Sequence, residues 1–197
     1  MNSPRSIGAC CALFCMIFIG VMAVGCAPVL KSPIGNEGDE RASDRLDHGY
    51  SILLALMQDL TKVDQILEIK SASKGTQSLL TDIAITAKAC IAKINEEKGL
   101  PPKLLLGDQG MPTIELDARA RIANTQTMRL LLASGSFELK ILLTQEKAMG
   151  YAAALAASLA AADANAARSD RMQKYVKTFG DLEARAIKQI EALGKTS

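Results

Sequence analysis

The stretch 172–194, MQKYVKTFGDLEARAIKQIEALG, carries Met172, Tyr175, Phe179, Leu182, Ala186, Ile190 and Leu193 at steps of three or four residues. An α-helix turns once in about 3.6 residues, so these side chains share one face and most of the charged residues between them fall elsewhere. Such a face needs apolar partners, and two earlier stretches supply them. Leu46, Tyr50, Leu53, Met57, Leu60 and Leu67 form a seam interrupted by Asp64, and Leu79, Ile83, Ala87, Cys90 and Ile94 line a second helix. Residues 113–162 continue the helical pattern, with Thr113 placed as an N-cap and Glu115 and Asp117 in the first turn. No strand-like alternation or internal repeat competes. The expected fold is all-α, an up-and-down bundle of four or five helices.

Breaks in the pattern set the boundaries. Residues 27–42 hold Pro28, Pro33, Gly35 and Gly38 and no helical period, so 26–42 reads as a flexible tether and 43–197 as the bundle domain. Ser43 or Asp44 is the expected cap of the first helix, and Gly75 is expected just beyond its end. The second helix is expected to stop at Lys98-Gly99-Leu100-Pro101, with Gly99 in the left-handed conformation. Residues 99–113 then make the one long connection. Its Leu104, Leu105 and Leu106 either run along the side of the bundle or tuck over one end. Ser134-Gly135-Ser136 are poor helix formers, and a break within 133–137 raises the helix count from four to five. Asp163 and Asn165 mark a tight turn before the last helix.

The chain has 197 residues, enough for one domain after its leader and tether. Arg5 is the only charged residue before Cys26, which leaves 22 basic against 21 acidic side chains beyond it. That balance gives no case for a nucleic-acid partner. Aromatics are 4% with no Trp, so the core is built from aliphatic helix faces.

Residues 1–25 have the form of an export leader. A start bearing Arg5 precedes an uncharged run at 7–24, which ends in Ala23-Val24-Gly25 before Cys26. Ala23-Val24-Gly25-Cys26 resembles the lipobox of bacterial lipoproteins, with Ala23 where Leu is commonest. The resemblance covers the leader alone. It implies cleavage before Cys26, acylation of that cysteine and a bundle facing the periplasm. With Ala27 rather than Asp following the cysteine, it further implies the outer membrane, where the organism has one. An uncleaved membrane span and ordinary signal cleavage are the competing readings of the same stretch. Cys10, Cys11 and Cys15 leave with the leader, so Cys90 is the one thiol of the mature chain beyond the lipidation site.

No residues assemble into a recognisable reactive centre. His48 is the only histidine, and with Asp44 one turn earlier it makes too few ligands for a metal. The bundle layout is similar to that of ferritin-like proteins. Their di-metal centre uses Glu-x-x-His pairs, and this chain has none, so the similarity carries no site across. Glu138 and Glu146 fall on roughly one helix face among Lys140 and Lys147, and read as a charged exterior. Cys90 reads as a core residue. Ala152–Ala167 and the glycines at 150 and 180 suit close helix approach. The expectation is a non-enzymatic, cofactor-free envelope protein that binds another protein or serves a structural role. The alternatives are a cleft for an apolar ligand or lipid, and an enzyme whose site is not recognisable.

Overall fold

A computed structural model describes residues 40–68, 70–107, 114, 117–118 and 137–195, with side chains from Ser43 onward. Four α-helices lie among the described residues: α1 Glu40–Leu60, α2 Lys74–Glu97, α3 Phe137–Ala162 and α4 Ala166–Gly194. A short 3-10 turn, Val63–Glu68, follows α1, and no strand occurs among the described residues. No helix there is long and apolar enough to cross a membrane. The chain is an all-α bundle, as the spacing of its apolar residues predicts.

The faces read from the sequence are the buried ones. Leu46, Tyr50, Leu53, Met57 and Leu60 of α1 join Leu79, Ile83, Ala87, Cys90 and Ile94 of α2 in one core. Met172, Phe179, Leu182 and Ala186 of α4 enter the same core, with Tyr175, Ile190 and Leu193 partly buried at its edge. From α3 come Ile141, Leu142, Met149, Ala152, Ala156, Leu159 and Ala160. Ala152, Ala156 and Ala160 recur every fourth residue and put a strip of small side chains into the core. The α3–α4 interface is the most extensive in the bundle.

Direction follows from a few long-range contacts. Tyr50 at the middle of α1 meets Asp163 just past the end of α3, and Leu60 at the end of α1 leads through a short link into the start of α2. The carbonyl of Glu97 at the end of α2 meets Arg168 at the start of α4. Thr76 at the start of α2 meets Glu138 at the start of α3. Thus α2 and α3 run parallel, and α1 and α4 run opposite to both. The principal packing pairs are α1 with α2, α1 with α3, α2 with α4 and α3 with α4. Each of these pairs is antiparallel. The connection from α2 to α3 starts at one end of the bundle and finishes at the other. The expected break within 133–137 falls outside the described residues, except for Phe137, where α3 begins. Thr113 and Glu115 also fall outside them, while residues 114, 117 and 118 are helical.

Several local expectations are corrected. Helix α1 already includes Glu40, so Ser43 and Asp44 lie inside it rather than capping it. Gly75 is not beyond α1 but is the second residue of α2, whose N-cap is Ser73. A Cβ at Gly75 would come within 2.7 Å of the amide end of the Gln189 side chain, which a larger residue there would displace. Helix α2 ends without a left-handed residue, because Gly99 does not have a positive φ. Instead, the Leu100 N–H donates to the Glu97 carbonyl and the Leu104 N–H to that of Lys98. The one glycine with positive φ among the described residues is Gly107, at +79°. A Cβ at Gly180 meets open space, so close approach does not explain that residue, whereas Gly150 faces the Glu183 carboxylate.

Candidate functional site

The polar groups with most at stake gather where α3 reverses into α4. Three residues make the reversal, and Asn165 caps α4 by accepting from the Arg168 N–H at 3.1 Å. The Arg168 side chain folds back over the turn, its Nε and Nη2 donating to Asp163 Oδ2 and Oδ1 at 2.6 and 3.0 Å. The Tyr50 hydroxyl donates to the same Oδ2 at 2.8 Å, and the Asn165 N–H to Oδ1 at 2.9 Å. Arg168 Nη1 donates to the Leu100 carbonyl at 2.8 Å, tying in the segment after α2. Tyr50, Asp163 and Arg168 are all buried. Beside them Arg171 makes a forked contact with Glu97 Oε1, at 3.2 and 3.1 Å.

Burial alone would raise the Asp163 carboxyl. The Arg168 guanidinium, the Asn165 N–H and the Tyr50 hydroxyl outweigh it and hold Asp163 below the usual carboxylate range. Burial also pulls the Arg168 guanidinium down, but Asp163 opposes this and leaves it above its ordinary value. Burial and the hydrogen bond to Asp163 push the Tyr50 hydroxyl well above its ordinary value. The cluster is thus a buried ion pair with a neutral phenol, and both carboxylate oxygens already accept two donors. Its chemistry is cross-linking: it joins α1, the end of α2 and the α3–α4 turn.

A second cross-link ties the opposite end. Glu138 Oε1 accepts from the Thr76 hydroxyl at 2.6 Å and the Ser73 N–H at 3.1 Å, joining α3 to the capped start of α2. Burial would raise the Glu138 carboxyl, but these donors hold it below its ordinary value. Glu138 is therefore not the plain surface charge expected from its neighbours. Glu146 is half-buried.

Of the other residues singled out in the sequence, His48 is half-buried and Asp44 exposed. No group of three or more His, Cys, Asp or Glu side chains among the described residues is placed to hold a metal ion. Cys26 lies outside the described residues. Cys90 is buried in the core, as expected, and burial pushes its thiol up to about 12, partly offset by Tyr175. At pH 8 this leaves on the order of a thousandfold less thiolate than in a free cysteine. In a Cys26→Ser chain, Cys90 is accordingly expected to resist a disulfide reagent until denaturant is added. Rapid reaction in the folded protein would contradict the assigned burial.

Asp163 was legible in the sequence only as a turn residue. Its pairing with Arg168 has a local signal, an acid two residues before the cap and a base three residues after it. Tyr50, 113 residues from Asp163, gives none. Comparison with known proteins finds no matching family, no curated protein similar in sequence and no solved structure similar in fold.

Proposed function

We propose that this chain is a bacterial lipoprotein, acylated at Cys26, whose helical bundle acts as a non-enzymatic interaction or structural module of the cell envelope. The observation that carries the reading is the leader: a charged start, an uncharged run, and Ala23-Val24-Gly25 directly before Cys26. One acyl chain binds a bilayer only marginally, whereas the two or three of a lipoprotein hold firmly, so anchoring requires no transmembrane helix. Two features of the bundle support a role in recognition or architecture. Its strongest buried polar groups are committed to holding helices together, with both oxygens of Asp163 occupied by donors. Its alanine strip is buried in the core, which gives a rigid body rather than an open cleft along that face.

The test is metabolic labelling with a palmitate analogue in cells expressing the full precursor. The expected result is a labelled, membrane-bound protein whose label disappears in Cys26→Ser. Label and membrane attachment that both survive the substitution would overturn the anchor. Cross-linking of the native protein in membranes then tests the interaction role: a reproducible protein neighbour is expected.

A further inference from the structure

Residues 100–106 leave α2 and cross the end of the bundle where α1 begins. Four side chains hold their backbone. Arg168 donates to the Leu100 carbonyl and Asn165 Nδ2 to that of Pro101, both at 2.8 Å. Asp47 Oδ1 accepts from the Leu105 N–H at 2.9 Å, and Ser51 donates to the Leu105 carbonyl at 3.4 Å. With the chain held on both sides, successive side chains alternate. Leu104 turns into the core, Leu105 turns outward at 59% exposure, and Leu106 is half-buried. Leu100, Pro101 and Pro102 are exposed as well. The strap thus presents a short, nearly continuous apolar surface that its own hydrogen bonds keep turned to the outside.

Lys98 and Lys103 flank this surface and are exposed. Among the described residues, three acids beside it are engaged, Asp163 with Arg168, Glu97 with Arg171 and Asp47 with the strap itself. Asp44 and Asp170, which are exposed at this end, belong to the neighbouring helices, and exposed Glu96 at the end of α2 pairs with Lys93.

We infer that the Leu100–Leu105 strap is a membrane-contact surface, seated in the headgroup region of the bilayer that holds Cys26. The inference rests on the anchoring reading above. Its independent support is position. Glu40, where the anchored segment joins α1, lies only seven residues, about 10 Å of helix, before Asp47. From Cys26 to Glu40 the chain advances fourteen residues, at most about 50 Å when fully drawn out. The far end of the bundle is about 40 Å further away. The strap is thus on the end nearer the bilayer. Anchoring gives it an effective concentration there of order millimolar, enough to populate a contact too weak to form unaided. Leucine and proline partition into the acyl boundary, and the two lysines meet anionic headgroups.

The acylated protein, reconstituted in vesicles of phosphatidylethanolamine and phosphatidylglycerol with brominated chains, provides the test. A polarity-sensitive fluorophore is placed on Leu105→Cys, or on Lys188→Cys near the opposite end, while buried Cys90 stays unlabelled. Flotation reads the anchor, and quenching reads the contact. The expected result is flotation of both proteins, with most of the fluorescence lost at position 105 and little at 188. Flotation with an unquenched probe at 105, or with equal quenching at both positions, overturns the contact and leaves the anchor standing. Protein that is not acylated in cells and does not float overturns the anchor and the contact together.

Discussion

Arg168→Met is expected to cost the bundle about 3–5 kcal/mol, because it strips the countercharge from a buried carboxylate. Arg168 and Asp163 are both buried, and the guanidinium spans Asp163 and the Leu100 carbonyl. Methionine keeps much of the volume and none of the donors. Asp163 would then rely on the Tyr50 hydroxyl and the Asn165 N–H. For a domain of this size the loss corresponds to a fall in Tm of roughly 6–20 °C. Urea denaturation followed by circular dichroism measures it. The control is Arg185→Met, which breaks an ion pair with Asp82 whose side chains are nearly half exposed. Exposed pairs contribute about 0–1 kcal/mol, so that variant should differ little from the parent. Equal losses in the two variants would refute the claim that burial gives the Arg168 pair its importance.

The same pair sets a pH dependence with a definite sign. The folded-state pKa of Asp163 is lowered, so its contribution is present above the unfolded aspartate value of about 3.9. It is lost as pH falls through the lower, folded value. Glu138 is shifted in the same direction, so its contribution is present above about 4.3 and is likewise lost as pH falls below that value. Acid unfolding should therefore steepen below about pH 4. In Arg168→Met the Asp163 carboxylate loses its main stabiliser while its burial remains. Protonation then relieves the variant, and the stability gap from the parent protein should narrow as pH falls. A gap that is constant between pH 7 and 3 would mean that Arg168 acts through packing alone.

The helix faces were legible because burial acts on every turn and so leaves a period in the sequence. Each apolar residue assigned to the last helix is buried or packed against the core. Rules about single residues fared worse where a distant contact decided the outcome. Gly75 looks like a helix end locally, yet it is the second residue of α2, which Ser73 caps and which lies beside Gln189 of α4. Glu138 looks like a surface charge among lysines, yet the start of α2 supplies it with two donors. The Tyr50–Asp163 bond was invisible for the same reason, since no periodicity links residues 113 apart. The expected lipidation of Cys26 is the reverse case, a short linear signal that is read without a fold.

Phe179→Ala should be comparably damaging, and the geometry of the α3–α4 pair explains why. Ser169 bonds to the Ala160 carbonyl, and Glu183 lies against Gly150, which fixes the register of the two antiparallel helices. At that register Ala160, Ala156 and Ala152 stand level with Met172, Tyr175 and Phe179. Small side chains on α3 and large ones on α4 thus enter the same core at matching levels. Phe179 is fully buried and stacks on Tyr175 with ring centroids 5.4 Å apart. Truncation removes the ring and leaves a cavity in the core, a change that costs about 3–5 kcal/mol. Phe179→Leu keeps most of the volume and should lose considerably less. Thermal denaturation of the two variants beside the parent chain gives the comparison. Near-equal Tm values for Phe179→Ala and the parent would show that the bundle does not depend on this ring.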